Sequence, residues 1–374
     1  MIESNLKIER VETFILDVPT IRPHVLAMAT MNHQSMVILR ITFSDGTQGI
    51  GEATTIGGLS YGEESPEGIK LTLDNYITPI LLKRDYKSIG DTMSFIKRNI
   101  VGNRFAKCAV EIALYDALGH RLGVPVSELL GGRVVDRLPV LWVLASGNLE
   151  TDIDEAHAMI DSRRHNVFKI KIGKRSVKED VAHVAAIKKA IGDTGRVQVD
   201  VNQAWTRSQA NLGAPMLADA GIDLVEQPLS FSDVQGAQHL VNQGVIPIML
   251  DESVQGPKVA LDLIRAKAAD IYAIKILQAG GLTEAQDVIA MAKHSGAALY
   301  GGTMLESPVC TIASAQLFST YETFEWGTEL FSPLLQKDSF INETLDYSDF
   351  QLTVPATPGL GISLDEEKVE FYKR

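Results

Sequence analysis

The sequence predicts an α/β protein in which an N-terminal α+β domain leads into a closed barrel of repeated β-α units. Three observations carry that prediction. Short β-branched runs at 138–144, 168–172, 197–201, 223–226, 247–250, 271–276, 297–300 and 325–330 alternate with amphipathic stretches, the pattern of parallel strands joined by helices. Eight parallel units within about 200 residues suit a closed barrel better than an open doubly wound sheet. No Gly-x-Gly-x-x-Gly turn follows the first run, so no dinucleotide cofactor is expected.

Taken in order, the chain begins with strands. The run at 37–43 ends in Ser44-Asp45-Gly46-Thr47, and Asp-Gly between strand-like segments marks a hairpin. Helical periodicity follows at 67–82, 91–99 and 104–122, where Ala106, Ala109, Val110, Ala113, Leu114 and Ala117 draw one apolar stripe. After Gly131-Gly132-Arg133 the β-α alternation takes over.

Composition excludes several functions. Of 374 residues 45% are hydrophobic and 22% charged, the balance of a folded enzyme rather than a disordered chain. No apolar run reaches bilayer length, and Met1-Ile2-Glu3-Ser4-Asn5-Leu6-Lys7 lacks a basic segment followed by an apolar one, so a cytoplasmic protein without membrane partners is expected. Net charge is −12, which opposes nucleic-acid binding. Cys108 and Cys310 lie far apart in apolar contexts and read as buried fillers, not as a disulfide or thiolate metal site.

Ionisable residues stand at the ends of successive strand runs, where a barrel keeps its active site and where a stray inward charge is expensive. Lys171, Asp200, Glu226, Asp251 and Lys275 follow one another at spacings of 29, 26, 25 and 24, each about one β-α unit. One such acid alone reads equally well as a helix cap or a surface ion pair. Three in phase point to a site for a hard, oxygen-loving cation, Mn²⁺ or Mg²⁺, because unpaired they would repel in a partly dry cavity. All eight histidines fall outside the strand ends, which argues against zinc. Lys169 and Lys171 are two apart, so both face one side of their strand and each is expected to lower the other's pKa. Lys275 would come from the opposite wall. Lysines extending to solvent are the plain alternative.

At these residues the sequence resembles the enolase superfamily, in particular its muconate-lactonising subgroup. The likeness rests on Lys169-Ile170-Lys171, Asp200-Val201-Asn202, Glu226-Gln227-Pro228, Asp251-Glu252 and Lys275, with Gly301-Gly302-Thr303-Met304-Leu305-Glu306 and Trp326-Gly327-Thr328-Glu329-Leu330-Phe331 after them. Pro19-Thr20-Ile21-Arg22-Pro23-His24 and Gly51-Glu52-Ala53-Thr54-Thr55-Ile56-Gly57-Gly58 look like substrate-covering loops. The resemblance implies a (β/α)7β modified TIM barrel at 133–330, an N-terminal α+β capping domain at 1–132, and a C-terminal segment at 331–374 packing back on the cap. It implies Asp200, Glu226 and Asp251 as metal ligands, Lys171 as the acid-base lysine tuned by Lys169, Lys275 across the substrate and Glu329 at the eighth strand. Asn202 would stand behind the ligands. Thr54, Ile56 and Tyr61 would close the lid, and Gln278 and Phe331 would touch substrate.

The implied activity is lactonisation of cis,cis-muconate, or a chloro- or methyl-substituted relative, through a metal-stabilised enolate protonated by Lys171. A homo-octamer acting on a small dicarboxylate is implied with it. After Lys275-Ile276 the sequence has Leu277-Gln278-Ala279 where the compared muconate enzymes usually carry a small residue, Lys and Asn, and Ser307-Pro308-Val309 replaces a glycine-containing version, so chlorinated muconate is a live alternative. The competing readings are a racemase or epimerase, an acid-sugar dehydratase, disfavoured by the lack of histidines at the barrel mouth, a Schiff-base aldolase, and a structural protein.

Overall fold

The computed structural model describes residues 6–25 and 30–374, so most of the N-terminal segment read above for targeting, Met1 to Asn5, lies outside the described residues. The chain opens with β1 (Ile8–Val25), β2 (Thr30–Phe43) and β3 (Gln48–Thr54), an antiparallel sheet in the order β1-β2-β3. The expected hairpin forms, with Gly46 at φ 82° and its N–H bonded to Phe43 O at 2.9 Å. The helix Arg104–Leu122 lies directly on β3. Its alanines let the backbones meet, and β3 answers with glycine: a Cβ on Gly49 or Gly51 would come within 2.0 Å and 1.9 Å of Ala113 O and Ala109 O. Helices at Pro66–Thr72, Thr78–Lys83 and Ile89–Asn99 fill the remaining flank.

The second half is the parallel sheet. β4 (Arg137–Pro139) precedes β5 (Trp142–Leu144), β6 (Val167–Lys171), β7 (Arg196–Asp200), β8 (Val225–Glu226), β9 (Ile248–Leu250), β10 (Ile271–Ile274) and β11 (Ala298–Gly301). β5 through β11 pair consecutively into a curled seven-stranded sheet. Two expectations change here. The run at 138–144 divides, because β4 leaves the barrel to pair with the C-terminal hairpin of β12 (Tyr347–Ser348) and β13 (Gln351–Thr353). The eighth run is a single bridging residue rather than a strand: Gly327 turns to φ 75°, and Thr328 bridges Val140 on one side and Gly301 on the other. The ring still closes through that residue, with Leu141 N to Thr328 O at 2.9 Å and Glu329 N to Gly301 O at 2.7 Å.

The C-terminal segment also reaches the first sheet, through bridges from Gln336 to Thr20 and from Lys373 to Leu16. A buried acid ties that sheet to the barrel. Glu52 of β3 accepts Ser307 N at 2.8 Å, Ser307 Oγ at 2.5 Å and Cys310 N at 2.8 Å, at the start of the helix Pro308–Phe318. Cys108 and Cys310 are both free and buried. No helix among the described residues is long and apolar enough to cross a membrane.

Candidate active site

Strand register assembles the site. Lys171 pairs across to Asp200 and Asp200 to Glu226, while Asp251 and Lys275 stand one residue beyond β9 and β10. Parallel neighbours in register point the same way, so five ionisable side chains from five adjacent strands converge on the C-terminal mouth. All are nearly or fully removed from solvent. Lys171 Nζ lies 2.5 Å from Asp200 Oδ2, and Lys275 Nζ 2.7 Å from Asp251 Oδ2. Lys169 Nζ lies 2.5 Å from Glu226 Oε2 and 3.1 Å from Glu329 Oε2. Tyr61, from the first domain, donates its hydroxyl to Asp251 Oδ2 at 2.7 Å and accepts from Lys275 Nζ at 2.8 Å.

The backbone after these strands is bent to hold them. Asn202, Gln203 and Gln227 all take positive φ, an uncommon conformation for residues with a Cβ and one that clusters at functional sites. Asn202 N donates to Asp200 Oδ1 at 2.8 Å, and its side chain donates to Glu252 Oε1 at 3.0 Å. Gln227 Oε1 accepts from Asp251 N at 3.0 Å and Ser253 N at 3.3 Å. Glu252 and Gln227 received no role from the sequence; both follow a strand-end acid directly, and that adjacency was the available signal.

The electrostatics reverse one expectation. Lys169 and Lys171 were expected to depress each other's pKa. Burial does push both down, but Glu226 and Glu329 beside Lys169, and Asp200 beside Lys171, outweigh burial and mutual repulsion and hold both ammoniums above their ordinary value. Lys275 is likewise held up by Asp251 against its burial. Among the acids, burial and then the Asp200 carboxylate drive Glu226 well above the usual range despite Lys169. Burial and the Asp251 carboxylate push Glu252 to about 8. Asp251 goes the other way, because Lys275 overcomes the cost of its burial.

Among the described residues no three acids, histidines or cysteines are gathered in the geometry of a bound ion; each strand-end acid is turned to a lysine. The donor set nevertheless suits a hard divalent cation. Glu226 Oε2 is fully buried without an aligned hydrogen bond, and burial together with the Asp200 and Asp251 carboxylates raises its pKa, so this carboxylate sits where a cation ligated by oxygen would supply positive charge.

A small cavity of about 10 Å³ opens among His24, Ile56, Tyr61, Lys171, Asp251, Lys275, Thr303, Leu305 and Glu329. Lys171 and Lys275 thus reach it together with two of the expected lid residues. Thr54 is turned away, its hydroxyl bonded to Gln34 Nε2 at 2.8 Å and Ser35 O at 2.7 Å. Phe331 packs edge-on against Trp142 at 5.2 Å, and Gln278 stands behind Asp251, donating to its Oδ1 at 3.1 Å. The two segments expected as loops are largely strand: 19–24 belong to β1 and 51–54 to β3.

His24 corrects the sequence reading. It lies far from any barrel strand in sequence, yet the end of β1 lays it over the barrel mouth, fully buried. Arg22 fixes that strand end, donating to Val143 O at 3.1 Å and Glu155 Oε1 at 2.9 Å. Burial and then the neighbouring Lys171 charge lower His24 to about 3, so a neutral imidazole faces the cavity. Its place in the Arg22-Pro23-His24 covering segment was the signal that could have found it.

Comparison with known proteins matches this geometry. Residues 10–131 match the family described as mandelate racemase / muconate lactonizing enzyme, N-terminal domain, and residues 152–368 match the enolase C-terminal domain-like family. Muconate cycloisomerase 1-2 of Acinetobacter lwoffii is 52% identical over all of this chain and 97% of its own. The crystal structure of muconate lactonizing enzyme from Pseudomonas fluorescens complexed with muconolactone superposes with TM-score 0.98 at 49% identity, covering 100% of both chains. A chloromuconate cycloisomerase of Delftia acidovorans is more distant, 38% identical over 99% of this chain and all of its own.

Proposed function

The chain belongs to the mandelate racemase / muconate lactonizing enzyme family, and on that premise we propose that it is an isomerase of the intramolecular-lyase kind that closes cis,cis-muconate to a muconolactone. One observation carries the chemistry: Lys171 and Lys275 enter one cavity from opposite walls, beside three carboxylates at adjacent strand ends. The identity gap, 52% to a muconate enzyme against 38% to a chloromuconate enzyme, favours the unsubstituted substrate.

Asp200, Glu226 and Asp251 are the residues that would hold a divalent cation, manganese or magnesium, whose chemistry is Lewis-acid stabilisation of negative charge on a substrate carboxylate. Lys275 and the Tyr61 hydroxyl form the opposite wall, where they neutralise and orient the dianion. Ile56 and Tyr61 exclude water above it. Lys171, an ammonium because Asp200 holds it so, is the proton donor to the substrate carbon once the ring oxygen has added; in reverse it is the base. Lys169, pinned between Glu226 and Glu329, sets the field behind it. Assembly into a homo-octamer and division into a cap at 1–132, a barrel at 133–330 and a returning segment at 331–374 are carried by the family resemblance, and a cytoplasmic location by the absence of a membrane-length apolar run in the sequence.

Opposed lysines also suit racemisation, and His24 at the mouth removes the ground on which acid-sugar dehydration was set aside. A panel of muconate, 2-chloromuconate, 3-chloromuconate, N-acyl amino acids and an acid sugar, followed by diene absorbance and optical rotation, decides among these. Loss of the diene signal with muconate is expected; turnover confined to an amino-acid derivative or a sugar would overturn the proposal.

A further inference from the structure

A line of side chains runs from the first domain to Asp251 and plays no part in the chemistry described above. Gln278, on the short turn of helix Ile276–Ala279 after Lys275, is 1% exposed, and its Nε2 donates to Asp251 Oδ1 at 3.1 Å. Gln278 Oε1 accepts from Gln255 Nε2 at 2.9 Å. Gln255 Nε2 is shared with Glu252 O at 2.9 Å, and Gln255 Oε1 accepts from Arg104 Nη2 at 2.6 Å. Arg104 opens the long helix that packs on β3. Its stem runs past Gly280 and Gly256, where a Cβ would lie 3.5 Å and 3.9 Å from it, both at positive φ. The arginine thus runs alongside two barrel loops.

The two Asp251 oxygens are held differently. Oδ2 faces the cavity group, Lys275 and Tyr61, whereas Oδ1 meets the neutral Gln278 amide. An amide locked at its own oxygen cannot rotate or flip, so it fixes the rotation of the carboxylate without adding a cation beside it. We infer that Gln278, oriented by Gln255 and Arg104, is a positioning residue that presets Asp251 for a divalent cation and makes cation affinity depend on the docking of the first domain.

This inference rests on the reading of Asp251 as a cation ligand under the proposed function.

The test is Mn²⁺ titration of the full-length protein without substrate, by calorimetry or electron paramagnetic resonance, for wild type, Gln278→Met and Gln255→Met. Thermal melting is recorded alongside to show that each variant is folded. Gln278→Met is expected to raise the Mn²⁺ Kd about ten- to a hundredfold, the range for losing a partner that orients a metal ligand. Gln255→Met should raise it in the same direction, by about threefold or more. A merely structural role would lower the melting temperature and leave Kd alone. A folded Gln278→Met with Kd within about twofold of wild type overturns the inference while leaving the proposed function standing. If Gln278→Met does not fold, Gln255→Met decides, and a Kd unchanged there overturns it. Wild type that binds no Mn²⁺ overturns both this inference and the cation site.

Discussion

Replacing Glu52 by glutamine tests the lock between the two halves of the molecule. The Glu52 carboxyl is buried against Ser307 and Cys310, and burial, followed in the same direction by the nearby Glu306 charge, lifts it from the ordinary 4.5 to about 7 against the pull of its three donors. A carboxyl whose folded pKa exceeds its unfolded one binds more protons when folded. Stability from this group is therefore present at low pH and is lost as pH rises from 4.5 through 7. At about 1.4 kcal/mol per pKa unit, the full loss is on the order of 3 kcal/mol. The glutamine amide cannot ionise, so wild type minus Glu52→Gln isolates the effect. Urea unfolding followed by tryptophan fluorescence, at fixed protein concentration and at pH 4.5, 5.5, 6.5 and 8, should show that difference falling by roughly 3 kcal/mol in favour of the variant. A flat or rising difference would refute the reasoning: it would mean that the Ser307 and Cys310 donors keep Glu52 ionised throughout.

Three further outcomes are expected at the active site. Asp200→Asn, Glu226→Gln and Asp251→Asn should each remove turnover together with its divalent-ion dependence, and full wild-type activity in excess chelator would refute the cation site. Lys171→Ala should lose turnover while still binding substrate by equilibrium dialysis, since the Lys275 wall and the Tyr61 lid remain; a near-normal kcat would move the proton to another group. Tyr61→Phe removes one hydrogen bond from each of two charged partners, worth about 1.5–3 kcal/mol, and should lower kcat/KM by roughly ten- to 150-fold, whereas an unchanged value would reduce Tyr61 to a space-filling lid.

The parts of this site that were legible in the sequence are those fixed by backbone period. A strand alternates its faces every residue, so Lys169 and Lys171 had to share a side, and acids spaced by one β-α unit had to share a mouth. The alanine stripe at 106–117 and the Asp45-Gly46 turn were legible for the same local reason. What period leaves open is the neighbour toward which each side chain turns. Reading Lys169 and Lys171 against each other gave a lowered pKa, but register brings Asp200, Glu226 and Glu329 against them and reverses the direction. The eighth run looked like a strand because only its composition was visible; Gly327 at positive φ confines the pairing to Thr328.

His24, Glu52 and Gln278 share a different obscurity. His24 and Glu52 act directly across the junction of the two halves, with partners more than a hundred positions away, and Gln278 reaches it through Gln255, whose partner Arg104 is 151 positions away, so no short window of sequence contains the whole interaction. The consequence is physical as well as diagnostic. Cavity walls drawn from both halves exist only when the halves are docked: Lys171, Asp251 and Lys275 come from the barrel, while His24, Ile56 and Tyr61 come from the first domain. Docking is held by buried polar contacts such as Glu52 on Ser307, whose strength follows directional hydrogen bonds and protonation more than apolar area. The same contacts that were hardest to read from the sequence are therefore those through which pH or a single substitution can loosen the cap without touching a strand-end lysine or acid.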